Sequence, residues 1–147
     1  RLIWKEVIYE PGELKVIAWK EGVSLGEQKV ATAGKPASLL LTADQSQLTA
    51  GSDELCYVTI QAVDMLGIPC PLAMNQLKIE LEGEGQIAGV CNGDPMSLVS
   101  FNSAEYPLFF GKAVIVLKAG NKEGTIKLKI SSRDLKTANL EILSMKK

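Results

Sequence analysis

Along most of this chain, apolar and polar residues take turns one by one. Val58, Ile60 and Ala62 alternate with Tyr57, Thr59 and Gln61, and Leu77, Ile79 and Leu81 alternate with Lys78, Glu80 and Glu82. The same rhythm returns at Ile126, Leu128 and Ile130 against Thr125, Lys127 and Lys129, and at Ala138, Leu140 and Ile142 against Asn139 and Glu141. Successive side chains on a strand point to opposite faces, so each set builds one apolar face and one wet face. Helical spacing of apolar residues is hard to find. Glycines at 51, 67, 83, 93, 111, 120 and 124 punctuate the intervals. Short strands separated by such turn signals predict an all-β antiparallel sandwich.

The pattern places strands at about 2–8, 14–20, 28–32, 38–43, 47–50, 55–64, 77–82, 86–91, 97–101, 113–119, 125–131 and 137–143. Residues 35–147 then hold a complete sandwich, whereas residues 1–34 supply only the first three strands. So few strands bury a face only if something covers it. On the residues alone, they form a small sheet packed on the main sandwich.

Composition narrows the function more than the fold. With 46% apolar and 22% charged residues, the 147-residue chain reads as one folded domain with room for part of another. A formal charge of −1 with scattered basic residues argues against a nucleic-acid partner, which needs a basic patch. No apolar run approaches a bilayer span, so no membrane insertion is expected. Arg1 is not a natural start and no leader follows it, so the chain reads as a fragment or a processed product. Histidine is absent, which removes Ser-His-Asp and Cys-His catalysis and the usual catalytic zinc sites. Cys56, Cys70 and Cys91 fit neither a zinc motif nor a disulfide framework. Cys56 reads as a small buried hydrophobe, and one bridge between two of the three stays open. No metal and no cofactor are expected.

The most specific stretch is Tyr9 to Ala37, YEPGELKVIAWKEGVSLGEQKVATAGKPA. Pro11-Gly12 makes a turn, Leu14 to Lys20 a strand, and Lys20-Glu21-Gly22 turns the chain back into Gln28 to Thr32. Ala33-Gly34-Lys35-Pro36 leaves the hairpin as a short joint. This stretch resembles family-2 glycoside hydrolases of the β-galactosidase type, at the passage from one immunoglobulin-like accessory domain into the next. The resemblance continues through LTADQSQLTAGSDELCYVTIQAVDMLGIPCP (Leu41 to Pro71), GEGQIAGVCNGDP (Gly83 to Pro95) and FFGKAVIVLKAGNKEGTIKLKISS (Phe109 to Ser132). It departs at Cys70-Pro71-Leu72-Ala73-Met74, which is more apolar than usual, and at Ser103-Ala104-Glu105-Tyr106-Pro107, which replaces an Arg-rich stretch.

The resemblance implies that residues 1–34 are the C-terminal strands of a preceding, truncated immunoglobulin-like domain and that residues 35–147 form a complete one. It implies a non-catalytic C-terminal module of an enzyme that hydrolyses terminal β-galactosides, with the catalytic glutamates in a (β/α)₈ barrel absent from this chain. Neighbouring domains of the parent would be its partners, and a periplasmic or secreted location would suit the family. Truncation would leave Leu2, Trp4, Val16, Ala18 and Val30 without cover, so the chain would pair or swap with another copy through these strands.

Several motifs invite a chemical reading. Glu80 and Glu82 stand two apart on one strand face, about 7 Å from each other, roughly the spacing an inverting glycosidase uses. The plainer reading has both in water opposite Leu77, Ile79 and Leu81. Gly83-Glu84-Gly85-Gln86-Ile87-Ala88 satisfies a dinucleotide fingerprint in form but opens a strand, where the motif needs a helix. Asn92-Gly93-Asp94-Pro95 offers too few oxygens for calcium and reads as a tight turn. Trp4 and Trp19 with Tyr9, or Tyr106 with Phe109 and Phe110, could stack on sugar rings. By parity Trp4 belongs to a core, while Trp19, Tyr106, Phe109 and Phe110 are the candidates for a carbohydrate or domain contact. Two other functions stay open: a carbohydrate-binding module, and an invasin-like cell-surface repeat, which shares the D-x-x-G-x-P cadence.

Overall fold

The computed structural model describes residues 3–146, and among these it shows eleven strands and no helix. The chain divides into two compact units between Ala33 and Gly34.

The first unit is a hairpin of β1 (Glu13–Lys20) and β2 (Val23–Ala31), paired antiparallel. Its loop is two residues long, and both Glu21 and Gly22 have positive φ (50° and 80°). That is the primed turn that matches strand twist, and it starts β2 at Val23, earlier than the expected Gln28. Register puts Glu13, Lys15, Glu27 and Lys29 on one face, with Lys15 2.6 Å from Glu27 and Lys29 3.3 Å from Glu13. The opposite face carries Leu14, Val16, Ala18 and Val30, all exposed. The strand expected over 2–8 does not form across residues 3–8, where Glu6 at φ 63° interrupts the extended backbone. Leu2 lies outside the described residues.

The second unit runs through β3 (Ser38–Ala43), β4 (Gln47–Thr49), β5 (Leu55–Val63), β6 (Gln76–Gly83) and β7 (Gly85–Cys91). It continues through β8 (Glu105–Pro107), β9 (Lys112–Ala119), β10 (Gly124–Ser132) and β11 (Leu135–Met145). One sheet has the order β7-β9-β5-β3, and the other β8-β6-β10-β11 with β4 parallel beside β11. A single pairing, Ser38 with Lys136, links them. With β3, β5, β9 and β7 as strands A, B, E and D, and β6, β10 and β11 as C, F and G, this is an immunoglobulin-like sandwich.

The inward faces meet in one core. Cys56, Val58, Ile60 and Ala62 of β5, with Ala113, Ile115 and Leu117 of β9, face Leu77, Ile79, Ile126, Leu128, Ile130 and Ile142 of the other sheet, and all are buried. The expected alternation thus places most of its inward residues inside, while Leu81, Ala138 and Leu140 are only half-buried. All three cysteines are free, so the bridge left open by their number does not form.

Two strand assignments change. Residues 97–101 form no strand, because short polar side chains hold the backbone in turns. Asp94 accepts the Met96 N–H at 2.9 Å, while Ser97 and Ser100 accept those of Val99 and Asn102 at 3.3 Å each. Leu98 is consequently fully exposed. The chain instead forms β8, three residues ending in Pro107 at the sheet's edge, where a missing N–H does no harm.

Candidate functional site

The acidic pair comes first. Glu80 and Glu82 lie on the outer face of β6, and register sets Glu80 beside Lys129 and Glu82 beside Lys127 on β10. On the far side of β10, Lys127 meets Glu141 and Lys129 meets Asn139. These residues line a shallow depression of 190 Å³. Glu80 is held from two sides, by Lys129 Nζ at 2.8 Å and Lys78 Nζ at 3.0 Å. The hydrogen bond from Lys129, then that from Lys78, with the two ammonium charges, pulls its carboxyl down to about 2. A general acid must still carry its proton near the working pH. Glu80 surrenders its proton far below neutrality, and around it acidic and basic side chains alternate across the strands, Glu82 beside Lys127 and Lys127 beside Glu141.

The glycine motif is a packing device. β6 ends at Gly83 and β7 opens at Gly85. A Cβ on Gly83 would strike the Thr125 carbonyl, and one on Gly85 would lie 2.8 Å from the Ile126 side chain. Among the described residues no helix N-terminus faces this turn, so the motif lacks the element that sets a dinucleotide's pyrophosphate. In the Asn92–Pro95 turn, Asn92 Oδ1 accepts the Asp94 N–H at 3.0 Å and its Nδ2 donates to the Pro107 carbonyl at 2.9 Å. Asn92 therefore ties β7's exit to β8.

The aromatic candidates separate. Tyr106 is 1% exposed and belongs to the core, so it offers no ring to a sugar, which corrects its place among the candidates for a carbohydrate contact. β8 pairs it with Leu77, whose inward parity it shares. Phe109 is half-buried and Phe110 exposed, with ring centroids 4.6 Å apart at 72°. That is an edge-on pair, not a flat shelf. Trp19 is exposed on the hairpin, and so is Trp4, contrary to its core assignment by parity. Trp19 and Phe110 belong to different units.

One polar residue went unmarked in the sequence. Asp64, 6% exposed, closes β5 and accepts three backbone N–H groups: Gly34 at 2.8 Å, Leu66 at 2.9 Å and Ile68 at 2.8 Å. Those bonds, Gly34's foremost, hold its carboxyl below the usual range against the cost of burial. The D-x-x-G-x-P run at Asp64 to Pro69 signals the local turn. It gives no hint of Gly34, thirty positions back along the chain.

The comparisons with known proteins meet this geometry at one point. Residues 39–141, most of the sandwich, match the family described as Glycoside hydrolase family 2 C-terminal domain 5. The chain belongs to that family. As a family-2 C-terminal domain, it is 42% identical over 139 residues to a β-galactosidase of Bacteroides ovatus, covering 95% of this chain and 16% of that protein. A family-2 glycosyl hydrolase structure from Bacteroides cellulosilyticus superposes with a TM-score of 0.88 at 31% identity, over 95% of this chain and 18% of the other. A β-glycosidase from Bacteroides vulgatus gives 0.86 at 30% identity, over 93% and 18%. The family-2 domain therefore spans about one sixth of the length of such relatives.

Proposed function

We propose that this chain is a non-catalytic, structural module of a β-galactosidase-like enzyme, one that packs on neighbouring domains and helps to place them. The observation that carries the reading is the 42% identity to one sixth of a β-galactosidase, in the stretch that a C-terminal family description covers. The ion pairs at Glu80 agree with it, since Lys78 and Lys129 hold that member of the Glu80–Glu82 pair as a carboxylate. The parent's hydrolysis of β-galactosides follows from the relative's name and belongs to residues elsewhere. For the chain alone, the exposed face of the hairpin favours self-association, which sedimentation at increasing concentration would register.

The test is direct. The chain is expected to leave a nitrophenyl β-galactoside unhydrolysed and to migrate unretarded in affinity gels containing galactans. Turnover above a buffer blank, abolished by Glu80→Gln or Glu82→Gln, would overturn the structural reading. Retardation abolished by Phe110→Ala or Trp19→Ala would replace it with a carbohydrate-binding role.

A further inference from the structure

Each end of the connection between the two units is fastened within its own unit. On the first side, Thr32 is tied three ways: its N–H donates to the Gly12 carbonyl at 2.8 Å, its Oγ1 accepts the Gly12 N–H at 3.1 Å, and Tyr9 Oη lies 3.1 Å from the same oxygen. On the second side, Asp64 accepts the Gly34 N–H at 2.8 Å and the Cys70 thiol donates to the Gly34 carbonyl at 3.6 Å. The chain then enters β3 through Ala37, whose N–H donates to Val63 at 2.9 Å and whose carbonyl accepts from Lys136 at 2.9 Å. Between Thr32 and Gly34 stands Ala33 alone, and it takes no part in either set of bonds.

We infer that the connection is a joint one residue long, Ala33, pinned by Thr32 on one side and by Asp64 on the other. The Ala-Gly-Lys-Pro run reads as a linker of four, but two of its backbone groups are already part of the sandwich. The Asp64 carboxylate serves because an ionised acceptor binds an amide about twice as strongly as a neutral one. Asp64 and Thr32 are positioning residues in this scheme. The inference goes beyond the structural role proposed above and does not depend on it.

Amide exchange and ¹⁵N relaxation on the whole chain test it. The Gly34 amide should exchange roughly ten- to a hundredfold more slowly than in an unstructured peptide. The heteronuclear NOE should dip at Ala33 and recover by Gly34. Asp64→Asn should bring Gly34 to within about threefold of the unstructured rate while Ile60 and Ile115 keep their protection. Thr32→Val should release the Gly12 amide without touching the second unit. The inference fails if Gly34 in the unaltered chain exchanges at the unstructured rate, if the NOE dip runs across 32–37, or if Asp64→Asn leaves Gly34 protected. Should Asp64→Asn unfold the sandwich, seen as lost protection at Ile60, the two measurements on the unaltered chain decide alone.

Discussion

β1 and β5 carry the same alternation and meet opposite fates. In β5, Val58, Ile60 and Ala62 are sealed, because a second sheet bearing Leu77, Ile126 and Leu128 lies over them. In β1, Leu14, Val16 and Ala18 take the same inward parity and stay in contact with water. The ribbon is well made as a ribbon: a primed turn, a continuous register to Ala18, and ion pairs on its polar face. What it lacks within its own unit is a second layer. Alternation therefore states which face is apolar, and only the count of strands available to stack says whether that face is covered.

Core truncation should expose this difference most strongly. Ile60→Ala removes fully buried methylenes from the sandwich and should cost about 2–5 kcal/mol, read as a lowered urea midpoint. Val16→Ala makes a similar change on the hairpin and should move that midpoint by less than about 0.5 kcal/mol. Equal losses would mean that β1 is covered after all, and the contrast between the units would fall.

Turn glycines sharpen the comparison at smaller cost. Gly111 has φ 74°, accepts the Ala62 N–H and donates to the Ala73 carbonyl, both at 2.9 Å. A Cβ there would also run into the Cys70 carbonyl. Gly111→Ala should lower the sandwich's stability by about 1–3 kcal/mol. Gly22 has nearly the same φ, 80°, with open space around it. Gly22→Ala should strain only the hairpin, by about 1 kcal/mol, and leave the sandwich's midpoint in place. The same backbone torsion is thus expected to matter in proportion to what surrounds it.

The legible parts of this molecule are those whose physics is local and periodic. β5, β9 and β10 could be read because each declares its own buried face. The run at 97–101 misled because Leu98 and Phe101 suggest a strand, while Asp94, Ser97 and Ser100 hold the backbone N–H groups a ladder would need. β8 escaped notice because three residues ending in proline carry no period, and its outermost pairing only extends β6's edge. Tyr106 was misplaced with it: once β8 pairs with β6, Tyr106 must share the parity of Leu77. Asp64 shows the deeper limit. Its turn with Leu66 and Ile68 is local and readable, whereas its bond to Gly34 exists only because folding returns the joint to the end of β5. Glu80 behaves likewise, since Lys129 reaches it through register rather than proximity in the chain.

The smallest expected effect is electrostatic, and its direction follows from the carboxyls. Glu80 titrates at about 2 in the folded chain, below its ordinary value of 4.5, because Lys129 and Lys78 favour the anion. A depressed folded value means that the stabilising share is complete above the ordinary value and disappears as pH falls toward 2. Asp64 shifts in the same direction through its backbone donors, with the Cys70 thiol the titratable group packed beside it. The sandwich should therefore lose stability on acidification through this window, and Glu80→Gln should make the loss shallower. Urea midpoints at about pH 6 and about pH 3 would measure the two slopes. Glu27→Gln, which breaks the Lys15 pair on the hairpin, should leave the sandwich's slope as it was. Because Glu80 is partly open to solvent, salt should shrink its effect, whereas the share from Asp64, enclosed by three amides, should persist. If added salt abolished the whole acid dependence, Asp64 would be no better held than a surface carboxylate, and the pin at Gly34 would lose its physical basis.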